Sequence, residues 1–227
     1  MQKTLKKIVS ILVAMAIVIL PLNAVYAVGP GEQMKTRMAL IGDSFAGYFY
    51  KYDQLHYDIY AFSTGGVNKE GNEELFYNVI ANPNYDVIVF STGVNDHYHK
   101  TPISSFEETL DNFAVAAAKK GKFIIVHTYM DYPLSKGVDT TTSIKEYDYI
   151  LRKVASDNFN VYYIDMSEYQ QPKYYLGDQL HYNESFYEAL DKKVLDVYNI
   201  INTAIYSSAV PSFGGAYMVP GSRQVTD

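Results

Sequence analysis

The sequence predicts an α/β domain, a three-layer α/β/α sandwich around a central, roughly five-stranded parallel sheet. Short apolar runs rich in β-branched and aromatic residues recur along the chain, and amphipathic helical patterns lie between them. Strands that alternate with helices build a parallel sheet covered on both faces. The roughly 200 residues left after the N-terminal segment suit one domain with a substantial core and are too few for two.

Taken in order, the first strand is Met38–Ile41, which runs into Gly42-Asp43-Ser44. The second, Tyr57–Phe62, ends at Ser63-Thr64-Gly65-Gly66, and a helical pattern over about 71–81 follows. Val87–Phe90 is very apolar and leads to Gly93-Val94-Asn95-Asp96. A helix over about 104–120 then precedes the strand Phe123–His127, and a helix over about 142–157 precedes Val161–Ile164. The last pattern, about 184–206, repeats Phe186, Leu190, Val194, Val197 and Ile201 at three- and four-residue steps, as an amphipathic helix requires. From Ser207 the pattern stops, and 207–227 reads as a flexible tail with Pro220 and Gly221. The domain proper is thus expected over 36–206.

Residues 1–27 read as a signal peptide. Lys3, Lys6 and Lys7 precede an apolar run from Ile8 to Leu20, Pro21 breaks it, and Ala24-Val25-Tyr26-Ala27 supplies a small-x-small cleavage site. The run is short for a bilayer span of about 20 apolar residues. Cleavage after Ala27, a linker over 28–35 and a secreted protein without a stable membrane anchor are the expectation. The whole chain has 19 Lys+Arg against 25 Asp+Glu, a net charge of -6. Removing three lysines and no acid leaves 16 bases and 25 acids, a net -9. That balance disfavours nucleic acid and other polyanions as partners. The chain has no cysteine, which excludes disulfide stapling and thiol nucleophiles alike. Its aromatics are 23 Tyr and 11 Phe with no Trp, a bias towards rings that carry a hydroxyl.

Four segments fall at strand ends or before a helix, on the edge of a parallel sheet where ligands bind. Ser44, after the first strand, would expose its hydroxyl and place its own N–H towards an anion. By itself it is as consistent with a helix cap. Gly65 and Gly66 allow close backbone approach, although an ordinary turn looks the same. Asn95 offers a neutral NH2 donor suited to an oxyanion. Asp178, three residues before His181, can fix the imidazole tautomer while the other ring nitrogen faces a serine. His97 and His99 flank Tyr98 without a local carboxylate or cysteine cluster beyond Asp96, so a loop at the substrate mouth fits them better than a metal site. His127, at a strand end, reads as packed or hydrogen-bonded, and His56 has no evident partner.

Gly-Asp-Ser at 42–44, the glycine turn at 65–66, Gly-x-Asn-Asp at 93–96 and Asp-x-x-His at 178–181 together resemble the SGNH, or GDSL-type, hydrolase family. Two features depart from its pattern: Phe45 stands where an aliphatic residue usually follows Gly-Asp-Ser, and Gly65-Gly66-Val67 is a loose version of the glycine segment. The resemblance implies a flavodoxin-like sheet and a serine esterase needing no metal or organic cofactor. Ser44 would be the nucleophile, His181 the base and Asp178 its support, with the oxyanion held by the N–H of Ser44, the N–H of Gly65 or Gly66, and the Asn95 amide. Asp43, Phe45, Tyr98 and Tyr129 are expected to touch substrate. Tyrosines at 48, 50, 98, 129, 132 and 182 lean towards a sugar ester, since such rings stack on pyranose faces. An esterase removing O-acetyl or other short acyl groups from a polysaccharide is the first expectation. An acyltransferase to a sugar hydroxyl, a lipase or thioesterase, and a non-catalytic carbohydrate-binding relative are the alternatives.

Overall fold

The computed structural model describes residues 38–49, 51–52, 56–128, 144–178 and 180–209. The expected signal peptide, the linker, most of the tail, and Tyr50, Tyr129 and Tyr132 lie outside these residues.

Five strands form one parallel sheet: β1 (Met38–Gly42), β2 (Tyr57–Ala61), β3 (Val87–Ser91), β4 (Phe123–His127) and β5 (Val161–Ile164). Their spatial order is β2-β1-β3-β4-β5. β1 and β3 are buried at every position, which explains why both read as unbroken apolar runs rather than as alternation. β2, at one edge, is buried, exposed or intermediate in turn, as an edge strand should be. Among the described residues, six α-helices connect and cover the sheet: α1 (Ser44–Phe49), α2 (Asn72–Ala81), α3 (Val94–Tyr98), α4 (Ile103–Lys119), α5 (Ile144–Asp157) and α6 (Glu184–Ala209).

The chain moves one way from β1 to β2 and the other way from β2 through β3, β4 and β5. Right-handed crossovers therefore put helices on opposite faces. α2, α4 and α5 pack side by side on one face. α1 and α6 meet on the other, where Phe49 packs edge-on against Tyr187 at 5.3 Å. Beneath α2 and α4, Phe76 stacks on Phe113 at 4.6 Å with Phe90 of β3 edge-on at 4.9 Å from Phe76. All three are buried, and removing such a ring costs about 3–5 kcal/mol.

All five expected strands and four expected helices are present, with ends that coincide or shift by up to three residues. The last helix continues to Ala209, so the tail begins later than Ser207. α1 and α3 were not expected as helices, and both carry residues of the candidate site. The reversal of direction lies between β1 and β3, the crevice in which sheets of this kind bind ligands.

Candidate active site

Gly42 closes β1 opposite Ser91, the last residue of β3. A Cβ there would lie 1.8 Å from the carbonyl oxygen of Ser91, so only glycine lets β1 run beside β3 to its end. Asp43 follows, its N–H bonded to that same oxygen at 3.2 Å. The chain then turns into α1, with Ser44 as its first residue and its side chain partly accessible.

Across the crevice, the turn before α6 carries Asp178 and His181. Nε2 of His181 lies 2.9 Å from Oγ of Ser44, and Nδ1 lies 2.7 Å from Oδ2 of Asp178. A carboxylate only accepts, so Nδ1 bears the proton and Nε2 is left to accept the hydroxyl proton of Ser44. The other oxygen of Asp178 accepts the N–H groups of Leu180 and His181 at 3.0 and 2.9 Å. Partial burial disfavours the charge of Asp178, but the His181 side chain and these backbone donors outweigh it and hold the carboxyl below its ordinary range. Two rings fix the imidazole: Tyr48 stacks on it at 4.1 Å and 18°, and Phe45 approaches at 5.3 Å.

Asn95 lies in α3, directly after β3. Its side-chain NH2 is shut off from solvent and has no hydrogen-bond partner among the described residues. A buried donor left unpaired costs about 1–3 kcal/mol, which makes it a place prepared for an acceptor.

Two buried carboxylates tie the three turns together. Asp43 accepts the N–H of Phe45 at 3.1 Å and of Asn95 at 3.3 Å, and also bonds the Gly93 backbone. Burial pushes its carboxyl up to about 7 against these backbone bonds, with the Asp96 charge adding to the rise. Asp96 accepts the N–H of Val67 with both oxygens, at 3.0 and 3.1 Å, and bonds Thr101. Burial raises it to about 6. Ser44, the glycine turn and Asn95 are thus linked through backbone neighbours to side chains that solvent does not reach.

The expectation that Asp43 and Phe45 touch substrate is corrected: they are 0% and 3% exposed, the one a clamp and the other packing against the His181 and Tyr182 rings. Tyr182 is likewise fully buried, stacked 3.7 Å from Phe186, and presents no ring to a ligand. Tyr98 is 61% exposed at the end of α3, three residues after Asn95. Gly65 donates its N–H to Nε2 of the exposed His99 at 3.3 Å, whereas Gly66 packs against Asp96.

His97 and His99 part company. His97 is buried on α3 with its ring edge-on to Tyr147, so it does not line a mouth, and among the described residues no cluster of three or more metal-ligating side chains forms. His127 is buried with Nδ1 donating to the Thr128 carbonyl and Nε2 accepting from Ser91. His56, without an evident partner in sequence, lies 3.3 Å from Asp191. Sequence reasoning missed what Tyr48, Lys51 and Asp96 do. Tyr48 stands four residues after Ser44, one helical turn on, so once α1 is a helix the two share a face.

No protein-family model matches the chain, and no curated protein matches it in sequence. Solved structures do match in fold. A GDSL-like lipase from Bacteroides thetaiotaomicron superposes with a TM-score of 0.60 at 13% identity, over 77% of this chain and 93% of that one. A lipase/acylhydrolase from Enterococcus faecalis gives 0.55 at 17% identity, over 72% and 96%. A carbohydrate esterase family 3 protein from Talaromyces cellulolyticus gives 0.52 at 12% identity, over 71% and 97%. The chain has the α/β/α fold of the SGNH, or GDSL-type, hydrolases.

Proposed function

We propose that the protein is a secreted serine esterase of the SGNH type that hydrolyses short acyl esters, O-acetyl groups on a carbohydrate foremost. The observation that carries this reading is the continuous line Asp178–His181–Ser44, with a buried, unpartnered NH2 on Asn95 in α3, after the neighbouring strand. Base and nucleophile come from separate segments and touch, and the backbone N–H of Asn95 bonds Asp43, the residue before the nucleophile.

The chemistry follows from the hydrogen-bond directions. Oγ of Ser44 attacks the ester carbonyl carbon as its proton passes to Nε2 of His181, and the imidazolium is held by Asp178. The carbonyl oxygen, now negative, is received by the amide of Asn95, the N–H of Ser44 and the N–H of Gly65. Gly65 is preferred over Gly66 because its N–H points to an exposed histidine that a ligand can displace, while Gly66 is pressed onto Asp96. Collapse breaks the bond to the alcohol, which leaves with the proton from Nε2. Water then attacks the acyl-serine, gives a proton to Nε2, and the acid departs as Ser44 regains its hydrogen.

The carbohydrate part of the reading rests on the expected leader, the exposed ring of Tyr98 on the helix that carries Asn95, and the fold shared with a carbohydrate esterase family 3 protein. The test is hydrolysis of p-nitrophenyl acetate and of acetylated xylan by the purified protein and its Ser44→Ala variant. Hydrolysis of both by the parent, with loss in the variant, is expected. A Ser44→Ala protein as active as the parent would overturn the nucleophile, and a preference for long acyl chains would overturn the substrate class.

A further inference from the structure

The Tyr48 ring has His181 on one side and a cation on the other. The imidazole stacks at 4.1 Å and 18°, and Nζ of Lys51 lies 3.9 Å over the centroid of the same ring. Two groups at that height on one face would overlap, so they occupy opposite faces. Tyr48 belongs to α1, the helix that begins with the nucleophile, and Lys51 to the turn just after it. Any movement of α1 therefore carries Ser44 and the support of its base together.

We infer that Tyr48 is a positioning residue for His181, and that Lys51, acting through the Tyr48 ring, tunes how readily that imidazole takes the serine proton. The inference rests on the esterase reading above. A flat ring against the imidazole blocks its rotation, which keeps Nε2 on Ser44 and Nδ1 on Asp178. The same ring face, rich in π electrons, attracts the imidazolium that forms when the proton is taken. Lys51 draws on those electrons from the far side and adds a like charge, so it opposes the imidazolium.

Among the described residues, the charged and titratable groups against the imidazole are Asp178 from its own turn and Tyr48 from α1, with Lys51 over the Tyr48 ring. Tyr187 of α6 feels the charges of Asp43 and Asp178 and the hydroxyls of Tyr48 and Tyr52. Removing the ring and removing the cation should then act with opposite signs. A merely structural contribution of either residue has no reason to do so.

The experiment is the pH dependence of kcat/KM for p-nitrophenyl acetate in the parent and in Tyr48→Leu, Tyr48→Phe, Lys51→Met and Ser44→Ala. Tyr48→Leu should lower kcat roughly tenfold with KM little changed and move the acid limb to lower pH by on the order of half a unit. Tyr48→Phe, which keeps the ring, should restore both. Lys51→Met should move the acid limb the other way, to higher pH. Should Tyr48→Leu fail to fold, the Lys51→Met shift still decides. An active, Ser44-dependent parent whose Lys51→Met limb stays in place, or whose Tyr48→Leu variant keeps the parental kcat, overturns the inference alone. An inactive parent, or an active Ser44→Ala variant, overturns the esterase reading and the inference with it.

Discussion

Asp96 occupies the place that a side chain on Gly66 would need: a Cβ built there lies 2.0 Å from Oδ1 of Asp96 and 2.8 Å from Oγ1 of Thr101. The glycine turn is held against α3 by this contact and by the two bonds from the Val67 N–H to the same carboxylate.

Gly66→Ala should therefore separate the turn from α3. Forcing a methyl into a closed polar contact costs typically about 1–3 kcal/mol, which for a domain of this size lowers the melting temperature by several degrees. Activity should fall further than stability at a temperature where the variant is still folded, because the Gly65 N–H moves with the turn. Thermal melts and kcat measured on the same preparation check it. A variant that melts like the parent shows that the turn can yield.

Asn95→Ala offers the opposite combination. The NH2 group is buried and unpaired, so its removal takes away a desolvated donor and should leave stability unchanged or slightly raised. Turnover should fall about 100–1000-fold, the usual cost of one oxyanion donor. A loss of stability without a loss of kcat would assign Asn95 to the scaffold instead.

The strands and long helices were legible in the sequence because each repeats its pattern over enough residues to define a period. α1 and α3 were not, since six and five residues are too few for periodicity, and their starts at Ser44 and Val94 read as turns. The order of motifs brought Ser44, Asn95, Asp178 and His181 to one edge of the sheet. It does not tell a buried clamp from a substrate contact, which is why Asp43 reads as the latter in sequence. Aspartate beside a nucleophile looks the same in sequence whether its oxygens face a ligand or the N–H groups of Phe45 and Asn95. Tyr182 reads as a ligand-facing ring for a related reason: adjacency to His181 says nothing about which way the next residue points, and here it points into the core.

Asp178→Asn should keep the acceptor for the Leu180 and His181 N–H groups but face Nδ1 with an amide NH2. The imidazole then carries its proton on Nε2, towards Ser44, and cannot take another. A loss of about 100–10,000-fold in kcat with little change in KM is expected, towards the lower end because the Asp178 side chain is 42% exposed and water can partly replace it. A kcat within a few-fold of the parent would mean that His181 is oriented by its ring contacts alone.

Stability should depend on pH through three buried groups whose effects oppose. Burial drives the His127 imidazole down to about 4 from an ordinary 6.5, so the unfolded chain binds a proton that the fold does not. That contribution is present above about 6.5 and is lost as the pH falls towards 4. Asp43 and Asp96 are raised by burial to about 7 and about 6, so the fold binds protons that the unfolded chain has released. Their contribution is complete below the ordinary 3.8 and is lost as the pH rises through 6 and 7. Above 6.5 only the carboxyls act, and the melting temperature should drop between pH 6.5 and 8. His127→Gln should leave that drop intact while stabilising the acid side relative to neutral pH, and Asp43→Asn should flatten it. Melting curves at half-unit steps from pH 4 to 8 read both slopes, and a parent whose melting temperature rises steadily to pH 8 would mean that Asp43 is ionised in the folded protein.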